Sequence, residues 1–234
     1  MPRSRNRALW AALGLVAGIL ATGAPAHAVF IGNAQGGTDF PEGAVSFTDI
    51  VVDYAPVVKN GEPTAANQNA GKALGVPDYQ SGGGCTDAAA CTFVSLGDGG
   101  SITLRFTDNV LTGSDSLAMD LWVFEVGPDI EDTFVEVSSN GSTWFPVGKV
   151  FGSTAGIDLD AFGFGTASSF SYVRLTDDGE EGGQSGNSVG ADIDALGAIS
   201  TYVVPEPGTL LLLAVGSACL GGIRRRSTPP RTKR

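Results

Sequence analysis

Ser101-Ile102-Thr103-Leu104-Arg105-Phe106 alternates strictly, with Ile102, Leu104 and Phe106 on one side and Ser101, Thr103 and Arg105 on the other. A period of two between turn signals reads as a strand with one buried face. Working outward, the same signal marks Phe47 to Tyr54 and Thr92 to Leu96 upstream. Downstream it marks Leu117 to Val126, Thr133 to Ser138, Thr143 to Val150, Phe170 to Thr176 and Ala191 to Val203. Asn140-Gly141 reads as a tight hairpin turn, because both residues tolerate positive φ. About eight short strands without an amphipathic helix predict an all-β domain over 45–203, a sandwich or barrel. Residues 29–44 read as a flexible lead-in and 60–72 as irregular.

Composition agrees. Glycine is the commonest residue, at 34 of 234, and the charged fraction is only 17%, which favours short strands joined by many turns. The net charge of −11 is unevenly spread: 29–203 holds five basic and 24 acidic residues, a balance of −19, while both ends are basic. Such a middle is repelled by phosphate backbones, so nucleic acid is excluded as a partner.

The N-terminus carries Arg3, Arg5 and Arg7, an apolar run from Ala8 to about Gly23, and then Ala24-Pro25-Ala26-His27-Ala28. Ala26 and Ala28 supply the small −3 and −1 residues that signal peptidase requires. Residues 1–28 are therefore a signal peptide and Val29 starts the mature chain. Export then places Cys85 and Cys91 in an oxidising compartment, where they are expected to pair across a short Gly-rich loop. On the chain-entropy account that pairing is worth about 2 kcal/mol.

At the other end stand Val204, Pro205, Glu206, Pro207 and Gly208, then an uncharged run to Ile223, then Arg224, Arg225 and Arg226. The prolines keep the backbone extended. At about 1.5 Å per residue, 208–223 covers roughly 24 Å, a marginal transmembrane helix with a positive-inside stop. Motif, helix and arginine cluster together resemble the PEP-CTERM sorting signal of Gram-negative bacteria that make extracellular polysaccharide. The resemblance covers 204–227 and leaves 228–234 as a basic tail. It implies a transient inner-membrane anchor and recognition of Val204, Pro205, Glu206 and Pro207 by the membrane enzyme exosortase.

A second resemblance covers 45–203. It rests on Ala73-Leu74-Gly75-x-Pro77-Asp78, Phe93-Val94-Ser95-Leu96-Gly97-x-Gly99-Gly100 and Asp120-Leu121-x-Val123-Phe124-Glu125. Then follow Val135-Glu136-Val137-Ser138-x-x-Gly141-x-x-Trp144, Val173-x-Leu175-Thr176-Asp177-Asp178 and Gly190-Ala191-Asp192-Ile193-Asp194-Ala195. This order resembles the galactose-binding-like, discoidin-type jelly roll. It implies a mostly non-enzymatic β-sandwich that binds sugars, lipids or proteins through loops at one end.

The chemistry left to the mature chain is narrow. His27, the one histidine, leaves with the signal, so no Ser-His-Asp or Cys-His site can form. A carboxylate-pair hydrolase acting on polysaccharide is the competing class, because acids are abundant. A structural filler without ligand is the third. The acids are better suited to structural calcium, which takes oxygen ligands, with a solvated acidic rim as the alternative reading. Asp192 and Asp194, two apart on a strand, should share a face, and Asp177 and Asp178 head a second cluster with Glu180 and Glu181. Asp120 and Glu125 are further candidates. Trp122 and Trp144 read as core residues before sugar platforms. Together these readings predict an exported, non-catalytic surface or matrix protein, adhesive or structural within exopolysaccharide or biofilm.

Overall fold

The computed structural model describes residues 27–32, 36–79, 85, 87–127, 131–182 and 185–204. Residues 1–26 of the signal peptide, Ala26 included, and the sorting segment from Pro205 onward, with Arg224, Arg225 and Arg226, lie outside them. Thirteen strands occur among the described residues. In chain order they are β1 (Val29–Ile31), β2 (Thr38–Phe40), β3 (Ile50–Ala55), β4 (Val94–Ser95), β5 (Ser101–Arg105), β6 (Asn109–Leu111) and β7 (Leu121–Glu125). There follow β8 (Thr133–Ser138), β9 (Phe145–Val150), β10 (Thr154–Ile157), β11 (Tyr172–Asp177), β12 (Asp192–Ala198) and β13 (Thr201–Val203).

Nine strands build two antiparallel sheets, ordered β3-β5-β11-β8-β9 and β10-β7-β12-β4. The predicted alternation of β5 holds: Ile102 and Leu104 are wholly buried and Phe106 almost so. They meet Val135, Val137, Val173 and Leu175 from the same sheet, and Leu121, Val123, Ile193 and Leu196 from the other. This is sheet-on-sheet packing with the core between inner faces. Leu104→Ala should cost about 2–5 kcal/mol, the range for emptying such a site. The check is the urea midpoint, which should fall with the slope unchanged.

The segment read as a flexible lead-in, 29–44, contains a pair of short strands. β1 pairs with β2 from Val29↔Phe40 to Ile31↔Thr38. Phe40 and Phe47 are fully buried against Phe124 and Ala195, with Trp122 packed alongside. The hairpin thus covers the back of the four-stranded sheet, and Gly197 leaves it room: a Cβ there would lie 2.6 Å from the Phe40 ring and 2.8 Å from that of Phe47.

Asn140-Gly141 connects β8 to β9, but by a different turn from the one expected. Only Gly141 has positive φ, at 72°. Asn140 instead accepts at Oδ1 from the N–H groups of Ser142 and Thr143, both at 2.9 Å, an Asx-type turn within a longer loop. The Asn-Gly turn with two positive φ values is Asn60-Gly61 (56° and 84°). It is closed by reciprocal backbone bonds between Lys59 and Glu62.

Candidate functional site

Close backbone contact, which only glycine permits, builds one end of the sandwich. Between β4 and β5 the chain turns through Gly97-Asp98-Gly99-Gly100. Gly97 has φ 75°, and a Cβ on it would lie 2.1 Å from the Val57 carbonyl oxygen. Gly190 approaches the Gly97 backbone equally closely, so Gly97 N–H donates to the Val189 carbonyl at 2.9 Å. The Asn60-Gly61 turn joins the same end: Glu62 Oε2 accepts from Gly186 N–H at 3.1 Å. Asn187 O accepts from Thr64 N–H and from the Asn67 amide. These loops surround a cavity of about 300 Å³ lined by Lys59, Asn60, Glu62, Asp98 and Ser185, with Val57 and Val189 its apolar part. Lys59 and Asp98 are ion-paired across it.

Three of the four acids predicted as calcium ligands lie at the end of β11 and the start of β12. Asp177, at the end of β11, is buried, its oxygens accepting from Gly99 N–H (2.8 Å) and Ala191 N–H (2.7 Å). Burial raises its pKa despite those bonds. Asp192, at the start of β12, accepts from the Ser95 hydroxyl, while the Tyr54 hydroxyl donates to the Ser95 carbonyl at 2.6 Å. Burial pushes the Asp192 carboxyl up to about 8, and the charges of Glu131 and Asp177 add to the effect. Asp178 is ionised below its usual range, held by Lys149 and the Glu180 N–H.

Asp194 departs from this group. The register slips between Ile193 and Ala195, a bulge that breaks the period-two alternation. Its two oxygens accept from the N–H groups of Asp78 and Tyr79, each at 3.2 Å, and burial lifts its pKa to about 6. The four predicted ligands therefore do not form one set. The close carboxylate clusters among the described residues are Asp132, Asp178, Glu181 and Asp120, Asp158, Asp160. In the first, Lys149 Nζ lies 2.5 Å from both Asp132 and Asp178, so an ammonium already does what a cation would. Asp120 and Glu125, at opposite ends of β7, take no part in a common site.

Cys85 and Cys91 are joined by a disulfide, Cα to Cα 4.4 Å. It abuts Phe93 and Val126, and Phe93 in turn meets the Tyr79 ring edge-on. Trp144 lies just before β9 under the Arg174 guanidinium at 4.4 Å. Arg105 over Tyr172 and Lys149 over Phe134 repeat that stacking on the outer face of the five-stranded sheet. The sequence reading missed Lys59, Asn60, Glu62 and Asp98. The Asn60-Gly61 dipeptide was the one signal that could have found them.

A β-sandwich whose loops close a polar cavity at one end is the class of protein this geometry defines. The chain carries a PEP-CTERM protein-sorting motif: the family profile of that description matches residues 203–226. The motif marks an exported chain, transiently membrane-anchored and processed by exosortase. No curated protein matches the sequence. Among solved structures, the C-terminal domain of a chitobiase from Bacteroides fragilis is similar at 15% identity and TM-score 0.37, over 69% of this chain and 97% of that one. A CBM32 protein produced by Clostridium perfringens matches at 11% and 0.33, over 69% and 99%. A truncated AlyQ with CBM32 and alginate lyase domains matches at 11% and 0.33, over 68% and 34%. Among the described residues no helix is long and apolar enough to cross a membrane; the predicted helix over 208–223 lies outside them.

Proposed function

We propose that the protein is a non-catalytic cell-surface or matrix component whose sandwich binds a glycan of the surrounding exopolysaccharide at the loop-end cavity. The observation that carries this reading is the lining. Sugar hydroxyls donate and accept, and Glu62 and Asp98 offer acceptors, Lys59 donors, and Asn60 both. The sorting motif supports the setting, since it marks an exported, transiently membrane-anchored chain. No aromatic ring belongs to the lining, so binding rests on hydrogen bonds alone and is weak for a single chain. A hydrolase would need an acid that reaches a glycosidic oxygen. Asp192 has a raised pKa, but it is only 6% exposed and engaged with Ser95.

Asn60→Gly tests the reading cleanly, because glycine keeps the positive φ and removes only the amide. On an array of polysaccharide fragments the wild-type domain should bind a subset, and the variant should bind those about tenfold more weakly, the loss of one or two hydrogen bonds. No binding by the wild type, or full binding by the variant, would leave the cavity without this role.

A further inference from the structure

The opposite end of the sandwich holds a second cluster that the glycan reading does not use. Asp120 lies immediately before β7, and Asp158 and Asp160 follow β10, whose pairing with β7 brings the three together. One carboxylate oxygen from each lies within 4.8 Å of the other two. A cation bound at 2.3–2.6 Å from each oxygen demands about this spacing, since two ligands across an ion stand at most about 5 Å apart.

Three carboxylates in a loop are commonplace, so the cluster alone decides nothing. The deciding feature is Asp120. Its side chain is fully buried, and while Oδ2 accepts from Leu159 N–H at 2.8 Å, Oδ1 is buried with no hydrogen-bond partner. A buried carboxylate oxygen without a donor costs free energy unless a proton or a cation meets it. The nearby Ser114 hydroxyl is engaged elsewhere, with the Ser116 hydroxyl at 2.9 Å and with Asp160 Oδ2 at 3.3 Å. Among the described residues no lysine or arginine pairs with any of the three. The contrast with Asp132 and Asp178, which share the Lys149 ammonium, is direct.

The surroundings are already in place. Asp160 is held by Ser114 N–H at Oδ2 (2.8 Å) and Asp115 N–H at Oδ1 (3.1 Å). Asp158 uses Oδ1 to cap the short turn that follows, accepting from Asp160 N–H at 2.9 Å and Ala161 N–H at 3.3 Å. The loops are thus fixed before any ligand arrives. The donors are all oxygen, with neither histidine nor thiol beside them, which selects a hard cation over a transition metal.

We infer that Asp120, Asp158 and Asp160 form a calcium site that stabilises the end of the sandwich opposite the loop cavity. The site is independent of the glycan reading. Calcium accepts irregular oxygen ligation from loops, whereas magnesium demands a near-octahedral set and keeps its waters.

The test uses the full-length protein in detergent, freed of metal with a chelator, and calcium alone as the probe. Calorimetry should show one calcium per chain with Kd on the order of 10⁻⁴–10⁻³ M, the range of extracellular modules. Magnesium should bind at least tenfold more weakly. Asp158→Asn keeps the Oδ1 cap and should weaken calcium at least tenfold, whereas Asp178→Asn should leave it unchanged. Terbium gives a second readout. Trp122 faces Gly156 across the β7–β10 pair, two residues from both Asp120 and Asp158, so it should sensitise terbium emission that calcium quenches. Trp122→Phe should abolish that emission without altering calcium affinity. Absence of calcium binding, equal affinity for magnesium, or loss of binding in Asp178→Asn with Asp158→Asn unaffected would overturn the assignment.

Discussion

Raising the pH from 6 to 8 should destabilise the domain, and Asp192→Asn should remove most of that slope. The Asp192 carboxyl, ordinarily titrating near 3.8, is pushed up to about 8 in the fold, chiefly by burial. Between those values the folded chain holds a proton that the unfolded chain has released. Stability is then highest below pH 4 and falls as the pH climbs towards 8. One such group contributes up to about 1.4 kcal/mol per pH unit. Asp194 acts with the same sign but is spent by about pH 6, and Asp177 acts with that sign also. Asp178, whose pKa is lowered, acts with the opposite sign and only below its usual value. The window from pH 6 to 8 therefore isolates Asp192 from Asp194 and Asp178. Asparagine keeps the acceptor for Ser95 and cannot ionise. Urea midpoints at pH 6, 7 and 8 should decline for the wild type and decline less for the variant. A wild type that is flat or more stable at pH 8 would show that Asp192 is not held protonated.

How much of this was legible in the sequence depends on the period of each segment. Eight of the nine sandwich strands coincide with stretches whose alternation is visible, six lying wholly inside them, β3 and β11 running one residue beyond, and Thr133 to Ser138 matching to the residue. β10 did not show, because Thr154-Ala155-Gly156-Ile157 is too short and too small to alternate. β1 and β2 were invisible for another reason: each has three residues, and they reach the core through the buried Phe40 with Val29 and Ile31 half-buried beside it. At the candidate sites, spacing along a strand misled where β12 bulges, since alternation places Asp192 and Asp194 together only in a regular strand. Nor could spacing find Asp120 beside Asp158 and Asp160, about forty residues apart in the chain. That neighbourhood exists only through the β7–β10 pairing.

The largest effect belongs to the sorting motif. Pro205-Glu206-Pro207 precedes an uncharged run and three arginines, and the matched profile spans 203–226. Val204, within the matched span, is 36% exposed, and its N–H donates to the Asp108 carbonyl at 2.6 Å. Replacing Pro205, Glu206 and Pro207 by alanine leaves the sandwich core and the N-terminal signal untouched, so export should proceed as before. What should fail is release from the membrane.

Fractionation of cells that carry an exosortase is the most direct measurement of this account. The wild-type domain should be recovered from the cell surface and matrix. The triple alanine variant should be found almost entirely in the inner membrane, at its unprocessed mass apart from loss of the signal. Surface delivery of the variant at the wild-type level would contradict the claim that this chain is an exported domain sorted through its C-terminal tag.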